Sequence, residues 1–82
     1  MNQTALVDRI VVDPKVMAGK PVIRGTRLTV QYIVGLLASG ASVEEVLGEY
    51  EGLVRDDILA CLRYAADMLD NTEVLPLAFD SS

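Results

Sequence analysis

The stretch GKPVIRGTRLTV, Gly19 to Val30, decides the fold of this 82-residue chain. It places a proline, two glycines, three basic residues and the start of a helix within twelve positions. Glycine supplies the positive φ that a two-residue type II′ turn needs at its first central position. We therefore predict a hairpin with Gly25-Thr26 at its tip, between the apolar runs Val22-Ile23 and Leu28-Thr29-Val30.

In this hairpin, Arg24 and Arg27 flank the turn as a directly opposed pair. Like charges that face each other across a β-ladder destabilise it by up to about 1 kcal/mol. One compensation is pairing with carboxylates of the same assembly, since the arginine fork fits a carboxylate well. The other is contact with an external anion, for which Lys20, Arg24 and Arg27 are the candidate DNA-binding or anion-binding residues. Both interpretations stay open at this point.

The composition indicates one small domain with more apolar surface than a single core can cover. Hydrophobic residues make up 51% of the chain and charged residues 23%, which favours a homodimer or another protein partner. Residues 1 to 27 carry five basic and two acidic side chains, whereas residues 28 to 82 carry two basic and ten acidic ones. A basic N-terminal part on an acidic body suits a protein with two different partners.

The residues give little support for catalysis. There is no histidine, the usual base for a serine or cysteine nucleophile, and the single cysteine, Cys61, lies in an apolar segment where a small core residue is expected. No third ligand accompanies the acidic pairs Glu44-Glu45 and Asp56-Asp57. We predict no enzymatic activity, no metal site and no cofactor. The lack of a membrane-length apolar run or a signal peptide predicts a cytoplasmic protein with no membrane partner.

Helical spacing of apolar residues predicts three helices after the hairpin. The first runs from Val30 to Ser39 with Thr29 as its cap, and the second opens at Ser42 with a capping box to Glu45. The third runs from about Arg55 to Asp70. Its predicted inner stripe consists of Ile58, Leu62, Ala65 and Leu69, with Leu59 and Ala66 beside it.

Before the hairpin, Arg9 to Asp13 has the β-branched composition of a short edge strand. We expect it to pair with Val22-Ile23 of the same chain or of a second subunit. Val16 and Met17, in the loop that follows, are expected to pack against the core. The predicted fold class is mainly α, a three-helix helix-turn-helix bundle with a short N-terminal β-ribbon, in a dimer. Residues 9 to 70 form this domain, residues 1 to 8 a flexible N-terminus and residues 71 to 82 a C-terminal tail.

The same residues resemble a known family. GKPVIRGTRLTV, preceded by Asp13-Pro14 and followed by the three helices, resembles the signature of domain of unknown function 433 over roughly Arg9 to Met68. Members of that family resemble helix-turn-helix, homeodomain-like proteins and are viewed as VapB-like antitoxins with PIN-like nuclease toxins as partners. The resemblance implies an antitoxin-like protein that binds such a toxin, with operator DNA as a further partner. The chain departs from the family at Val54, where a serine or threonine cap is usual.

The third helix would read the DNA groove by analogy with other helix-turn-helix proteins. Its acidic residues outnumber its basic ones, so DNA binding is expected to be weak and to require a dimer or a complex that includes the toxin. The alternative is an oligomeric protein-interaction module with no nucleic-acid role, in which the arginines only hold the dimer together. The tyrosines Tyr32, Tyr50 and Tyr64 lie at helical spacing from apolar residues, so we expect them in the core or in a dimer contact.

In the tail, Leu75, Leu77 and Phe79 alternate with other residues in the period-two pattern of an extended segment. These three side chains are the candidate partner-binding residues, which would fill apolar pockets beside the acidic cleft of a nuclease toxin. The tail has no lysine or arginine, so it would cover that cleft sterically. The alternative is that the tail folds back over its own helices.

Overall fold

The computed structural model describes Leu6 and residues 8 to 70, and it confirms three helices with a short two-stranded ribbon at the N-terminal end. The predicted tail lies outside the described residues, as does most of the predicted flexible N-terminus. No described helix has the length and apolar content to cross a membrane. The elements are β1 (Ile10–Val11), a 3-10 turn (Met17–Gly19), β2 (Val22–Ile23), α1 (Val30–Ala38), α2 (Val43–Glu49) and α3 (Arg55–Asp70).

The two strands pair antiparallel within the chain, with Ile10 opposite Ile23 and Val11 opposite Val22. This confirms the predicted pairing with Val22-Ile23, but β1 is shorter than the predicted strand. The reason is Asp13, whose carboxylate accepts from the Lys15 amide (2.9 Å) and whose carbonyl accepts from the Val16 amide (2.8 Å). These bonds begin a turn where an extended strand would have continued.

The helix starts follow the predicted caps. Thr29 Oγ1 accepts from the Tyr32 amide (3.0 Å), which satisfies one free donor of the first turn of α1. At α2, Ser42 Oγ accepts from the Glu45 amide (3.0 Å) while the Ser42 amide donates to Glu45 Oε1 (2.8 Å), so the predicted capping box is confirmed.

The core lies where β2 and the three helices meet. Full burial of a valine or isoleucine side chain contributes about 1.5–3 kcal/mol. The buried core residues therefore hold the helices on the ribbon. Met17, which was expected to pack here, is exposed, whereas Val16 is half-buried. The buried cluster consists of Ile23, Val30, Ile33, Val46, Ile58 and Cys61.

The predicted inner stripe of α3 is wrong. Of that stripe only Ile58 is fully buried, and Leu59, Leu62 and Leu69 are exposed. The face that packs on α1, α2 and β1 contains Asp57, Ile58, Ala60 and Cys61 instead. Apolar residues at helical spacing are present on both faces of α3. A prediction from spacing and side-chain size therefore favoured the face with the larger leucines. The result is a helix with one buried and one exposed apolar face.

Candidate functional site

The tip of the hairpin is a four-residue loop that begins with a tight turn from Ile23 to Thr26. The Thr26 amide donates to Ile23 O (2.9 Å), and Gly25, third in this turn, has φ 81° as a type II turn requires. Thr26 Oγ1 also donates to Ile23 O (2.8 Å) and accepts from the Leu28 amide (2.9 Å), which supports the wider loop. The predicted two-residue type II′ tip is therefore wrong.

The predicted register of the hairpin is nevertheless present. Val22 faces Thr29, and the Ile23 amide donates to Leu28 O (3.0 Å). Because the turn begins one residue earlier than predicted, Arg24 lies inside it and Arg27 follows it. The two arginines therefore do not flank the turn as an opposed ladder pair.

Arg24 holds the chain that precedes β1. Its amide donates to Arg9 O (2.7 Å) and its Nε donates to Asp8 O (2.8 Å). Both acceptors are backbone carbonyl groups. Among the described residues, Arg24 forms no ion pair with a carboxylate. Pairing of Arg24 with a carboxylate of its own chain, one of the two predicted compensations, therefore has no support in this part of the chain.

The structure brings two of the three predicted anion-binding residues into one open groove. Arg24 and Arg27 line it together with Asp13, and its volume is about 540 Å³. Arg27 and Lys20 are exposed, and within residues 8 to 70 neither forms an ion pair. Lys20 lies outside the groove lining. The groove thus offers two guanidinium groups against one carboxylate, a net positive surface that suits an anion.

A left-handed turn precedes Lys20. Met17, Ala18 and Gly19 have φ of 51°, 58° and 84°, a region that non-glycine residues occupy only at an energetic cost. The Gly19 amide donates to Val16 O (3.0 Å) and the Lys20 amide to Met17 O (3.1 Å). Because these amides already have acceptors, the turn does not form a backbone anion nest.

One charged cluster was missed by the sequence reasoning, which considered Asp56 and Asp57 only as an acidic pair without a third metal ligand. Asp57 is 8% exposed; its Oδ1 accepts from Arg9 Nη1 (3.0 Å) and its Oδ2 from the Val54 amide (3.0 Å). Asp56 lies 3.7 Å from the same guanidinium group. The available signal was an aspartate three residues after Val54, which has no capping side chain of its own.

Cys61 is a core residue, as predicted. Its side chain is fully buried, and burial, with a smaller contribution from the charge of Asp57, raises the pKa of the thiol to about 12. The thiol is therefore protonated at neutral pH and a poor nucleophile. Within the part of the chain that the structure describes, no three Cys, Asp or Glu side chains group to hold a metal ion. The absence of a cofactor and of enzymatic activity stays a prediction.

The tyrosines differ in position. Tyr50 and Tyr64 are half-buried against the core, as expected, but Tyr32 is exposed. Tyr32 and Tyr50 form a T-shaped ring pair with centroids 6.2 Å apart, and their hydroxyl groups are hydrogen-bonded. This hydrogen bond raises the pKa of Tyr50. The pair joins α1 to the end of α2 through an edge-to-face ring contact.

The exposed side of α3 is unsuited to reading a DNA groove. Its two basic residues face carboxylates: Arg55 lies 3.9 Å from Glu44, and Arg63 lies 3.4 Å from Asp67. Asp56 and Asp70 add further negative charge there. The predicted partner-binding residues Leu75, Leu77 and Phe79 lie outside the described residues.

Comparison with known proteins gives a family but no activity. The family model described as "Protein of unknown function (DUF433)" matches residues 10 to 65. The crystal structure of a DUF433 member protein from Anabaena variabilis is similar, with a TM-score of 0.73 and 31% sequence identity. That match covers 82% of this chain and 66% of the Anabaena chain, slightly under two thirds of its length. Among curated proteins, none matches. The family match spans most of the chain and agrees with the structural match, so this chain belongs to the DUF433 family.

Proposed function

We propose that this chain is an antitoxin-like protein of a toxin–antitoxin pair in the cytoplasm, which acts as a homodimer, binds a PIN-like nuclease toxin and contacts operator DNA. The observation that carries the proposal is the groove at the hairpin tip. There Arg24 and Arg27 lie together without a carboxylate partner of their own among the described residues, on a chain with a formal net charge of −5. An exposed pair of guanidinium groups on an acidic body favours a specific anionic ligand.

The groove supports contact with DNA phosphates rather than sequence reading by α3. Arg27 is exposed at the rim, and Arg24 is fixed in place through its Nε, which leaves the Nη groups of its fork for a ligand. Phosphate contacts position a protein on DNA without reading bases. Two such sites in a homodimer would contact the backbone at two places, which agrees with the weak, dimer-dependent binding expected from the sequence.

Toxin binding is assigned to apolar anchors. PIN-like nucleases hold divalent metal with clustered carboxylates, and an inhibitor has to cover that cleft, displace the metal or distort the site. The segment that contains Leu75, Leu77 and Phe79 has no positive charge, so we propose steric covering, with up to about 2 kcal/mol per fully buried anchor. We propose that Arg55 or Arg63 of α3 also reaches the toxin's carboxylates, which requires its present contact with Glu44 or Asp67 to open.

The second candidate function is an oligomeric protein-interaction module with no nucleic-acid role. Two observations favour it: Arg24 already has a structural use at Asp8, and α3 exposes leucines that suit a protein surface. In this candidate the groove arginines would pair with carboxylates of another subunit.

Co-expression of this chain with the product of the neighbouring reading frame distinguishes the two candidate functions. We expect that product to arrest growth alone, and the arrest to be lifted, with co-purification, when this chain is present. A neighbouring product that neither binds this chain nor inhibits growth would contradict the antitoxin function and favour the interaction module. Replacement of Leu75, Leu77 and Phe79 by serine should abolish the rescue, whereas deletion of Ser81-Ser82 should not.

A further inference from the structure

The exposed face of α3 forms a second apolar stripe. Leu59, Leu62 and Leu69 are 39%, 40% and 66% exposed, and Ala66 between them is also exposed. Their spacing of three, four and three residues places them on one line along the helix, about 15 Å long at 1.5 Å per residue. This line lies away from the buried face that contains Ala60 and Cys61. Three exposed leucines in a row on one helix are typical of an interface.

We propose that a second copy of this chain covers the stripe, with α3 packed antiparallel on α3 of the partner about a two-fold axis that crosses the stripe at the level of residue 64. The stripe has the symmetry this needs, because positions 59 and 69, and likewise 62 and 66, are centred on residue 64. A two-fold axis there places Leu59 against Leu69 of the partner subunit. It also places Leu62 against Ala66 of the partner subunit, a large side chain facing a small one, which favours close packing.

The charges at the two ends of the stripe favour the same arrangement. Arg55 lies at the N-terminal end and Asp70 at the C-terminal end. Antiparallel packing brings Arg55 towards Asp70 of the partner subunit at both ends, whereas parallel packing would bring like charges together. The present contact of Arg55 with Glu44 is long, at 3.9 Å, and the Arg55 side chain is exposed. The leucines, with Asp56 and Asp67 beside them, make the stripe unsuited to nucleic acid.

This inference deepens the homodimer part of the proposed function and uses no contact with toxin or DNA. It places the dimer surface on α3 and not on the N-terminal ribbon, where β1 pairs with β2 of its own chain. A chain that is monomeric yet still neutralises the toxin would overturn this inference and the proposed homodimer, but not the antitoxin function. A dimer through α3 that neutralises nothing would overturn the antitoxin function alone.

The test is light scattering after size-exclusion chromatography of the full chain at about 20 µM. We expect a dimer for the parent and a monomer for Leu62→Glu, with the dissociation constant raised at least roughly 100-fold. The matched control is Val12→Glu on the ribbon, a residue 56% exposed, which should stay dimeric. Circular dichroism checks that both variants fold. A monomeric parent, a dimeric Leu62→Glu variant, or dissociation by Val12→Glu alone would each overturn the proposal, and the last would place the interface at the ribbon.

The orientation is tested by disulfide cross-linking. A chain with Leu62→Cys is mixed with a chain with Ala66→Cys and oxidised; the native Cys61 is fully buried and does not interfere. We expect more cross-linked dimer in the mixture than in either variant alone. Stronger cross-linking of each variant with itself would indicate parallel helices and contradict the proposed axis.

Discussion

Arg9 Nη1 donates a charged hydrogen bond of 3.0 Å to Asp57 Oδ1, which ties the residue before β1 to the first turn of α3. The other oxygen of the same carboxylate caps the α3 start by accepting from the Val54 amide (3.0 Å). One side chain therefore joins the residue before β1 to α3 and gives the amide that precedes the helix an acceptor. The bond from the Val54 amide to Asp57 is the half of a capping box in which a side chain inside the helix accepts from the residue that precedes it.

The first prediction concerns this carboxylate. Replacing Asp57 by alanine should lower the free energy of unfolding by about 1–3 kcal/mol, because the Val54 amide and the guanidinium group of Arg9 lose a partly buried acceptor. Urea unfolding followed by circular dichroism measures this change. Asp56→Ala is the control: Asp56 is more exposed and 3.7 Å from the guanidinium group, so its loss should change stability by less than about 0.5 kcal/mol. Equal effects of the two changes would contradict the assigned role of Asp57.

Local signals in the sequence were sufficient for the helices. Thr29 and Ser42 mark two helix starts through side-chain chemistry that acts within three residues. The face of α3 was not predictable in the same way, since leucines at helical spacing occur on the exposed side and small residues pack inside. Burial is decided by what the helix packs against, a non-local property.

The groove was only partly predictable. The positions of Gly25 and the arginines indicated a turn, but the hydroxyl of Thr26 bonds to both Ile23 and Leu28 and moves the turn by one residue. The bond from Arg9 to Asp57 spans 48 residues, and no local pattern connects two charges so far apart. Helix starts and the register of the hairpin could therefore be predicted, whereas long-range charge pairs could not.

The second prediction concerns the left-handed turn. Ala18 has φ 58° and ψ 31°, where a Cβ atom costs about 1–2 kcal/mol and glycine has no such cost. Glycine loses more backbone entropy than alanine on folding, which offsets part of this gain. Ala18→Gly should therefore raise the free energy of unfolding by a net amount of about 0.5 kcal/mol. Ala38→Gly in α1 should do the opposite and destabilise by about 1 kcal/mol. Thermal unfolding of both variants measures the signs, and a loss of stability in both would show that Ala18 is not held in this conformation.

The third prediction concerns the thiol of Cys61. Its pKa is raised from 9.0 to about 12 in the folded chain, so the unfolded chain releases this proton at lower pH than the folded chain does. The contribution of the thiol to stability is therefore fully present below pH 9 and is lost as the pH rises towards 12. We expect the difference in the free energy of unfolding between the parent and Cys61→Ala to be constant from pH 7 to 9. Above pH 9, the parent should lose stability relative to Cys61→Ala. A constant difference up to pH 11 would contradict the raised pKa.

The fourth prediction concerns the tail. Truncation after Asn71 should abolish neutralisation of the toxin and leave the melting temperature of the remaining chain nearly unchanged, because Leu75, Leu77 and Phe79 are assigned to the partner. Truncation after Asp80 is the control and should leave both properties unchanged. If truncation after Asn71 lowers the melting temperature by many degrees while neutralisation persists, the tail belongs to the core of its own chain.

The central claim is that the groove of Arg24 and Arg27 binds the phosphate backbone of DNA. The most direct measurement is the salt dependence of DNA binding by the Arg27→Ala variant. Fluorescence anisotropy of a labelled duplex from upstream of the gene gives the affinity at several salt concentrations. We predict that Arg27→Ala weakens binding roughly tenfold at low salt for all duplex sequences and lowers the salt slope by about 1 per chain. Arg63→Ala on α3 should leave both quantities unchanged. Binding by the parent that is unaffected by Arg27→Ala, or no binding by the parent at low salt, would contradict the claim.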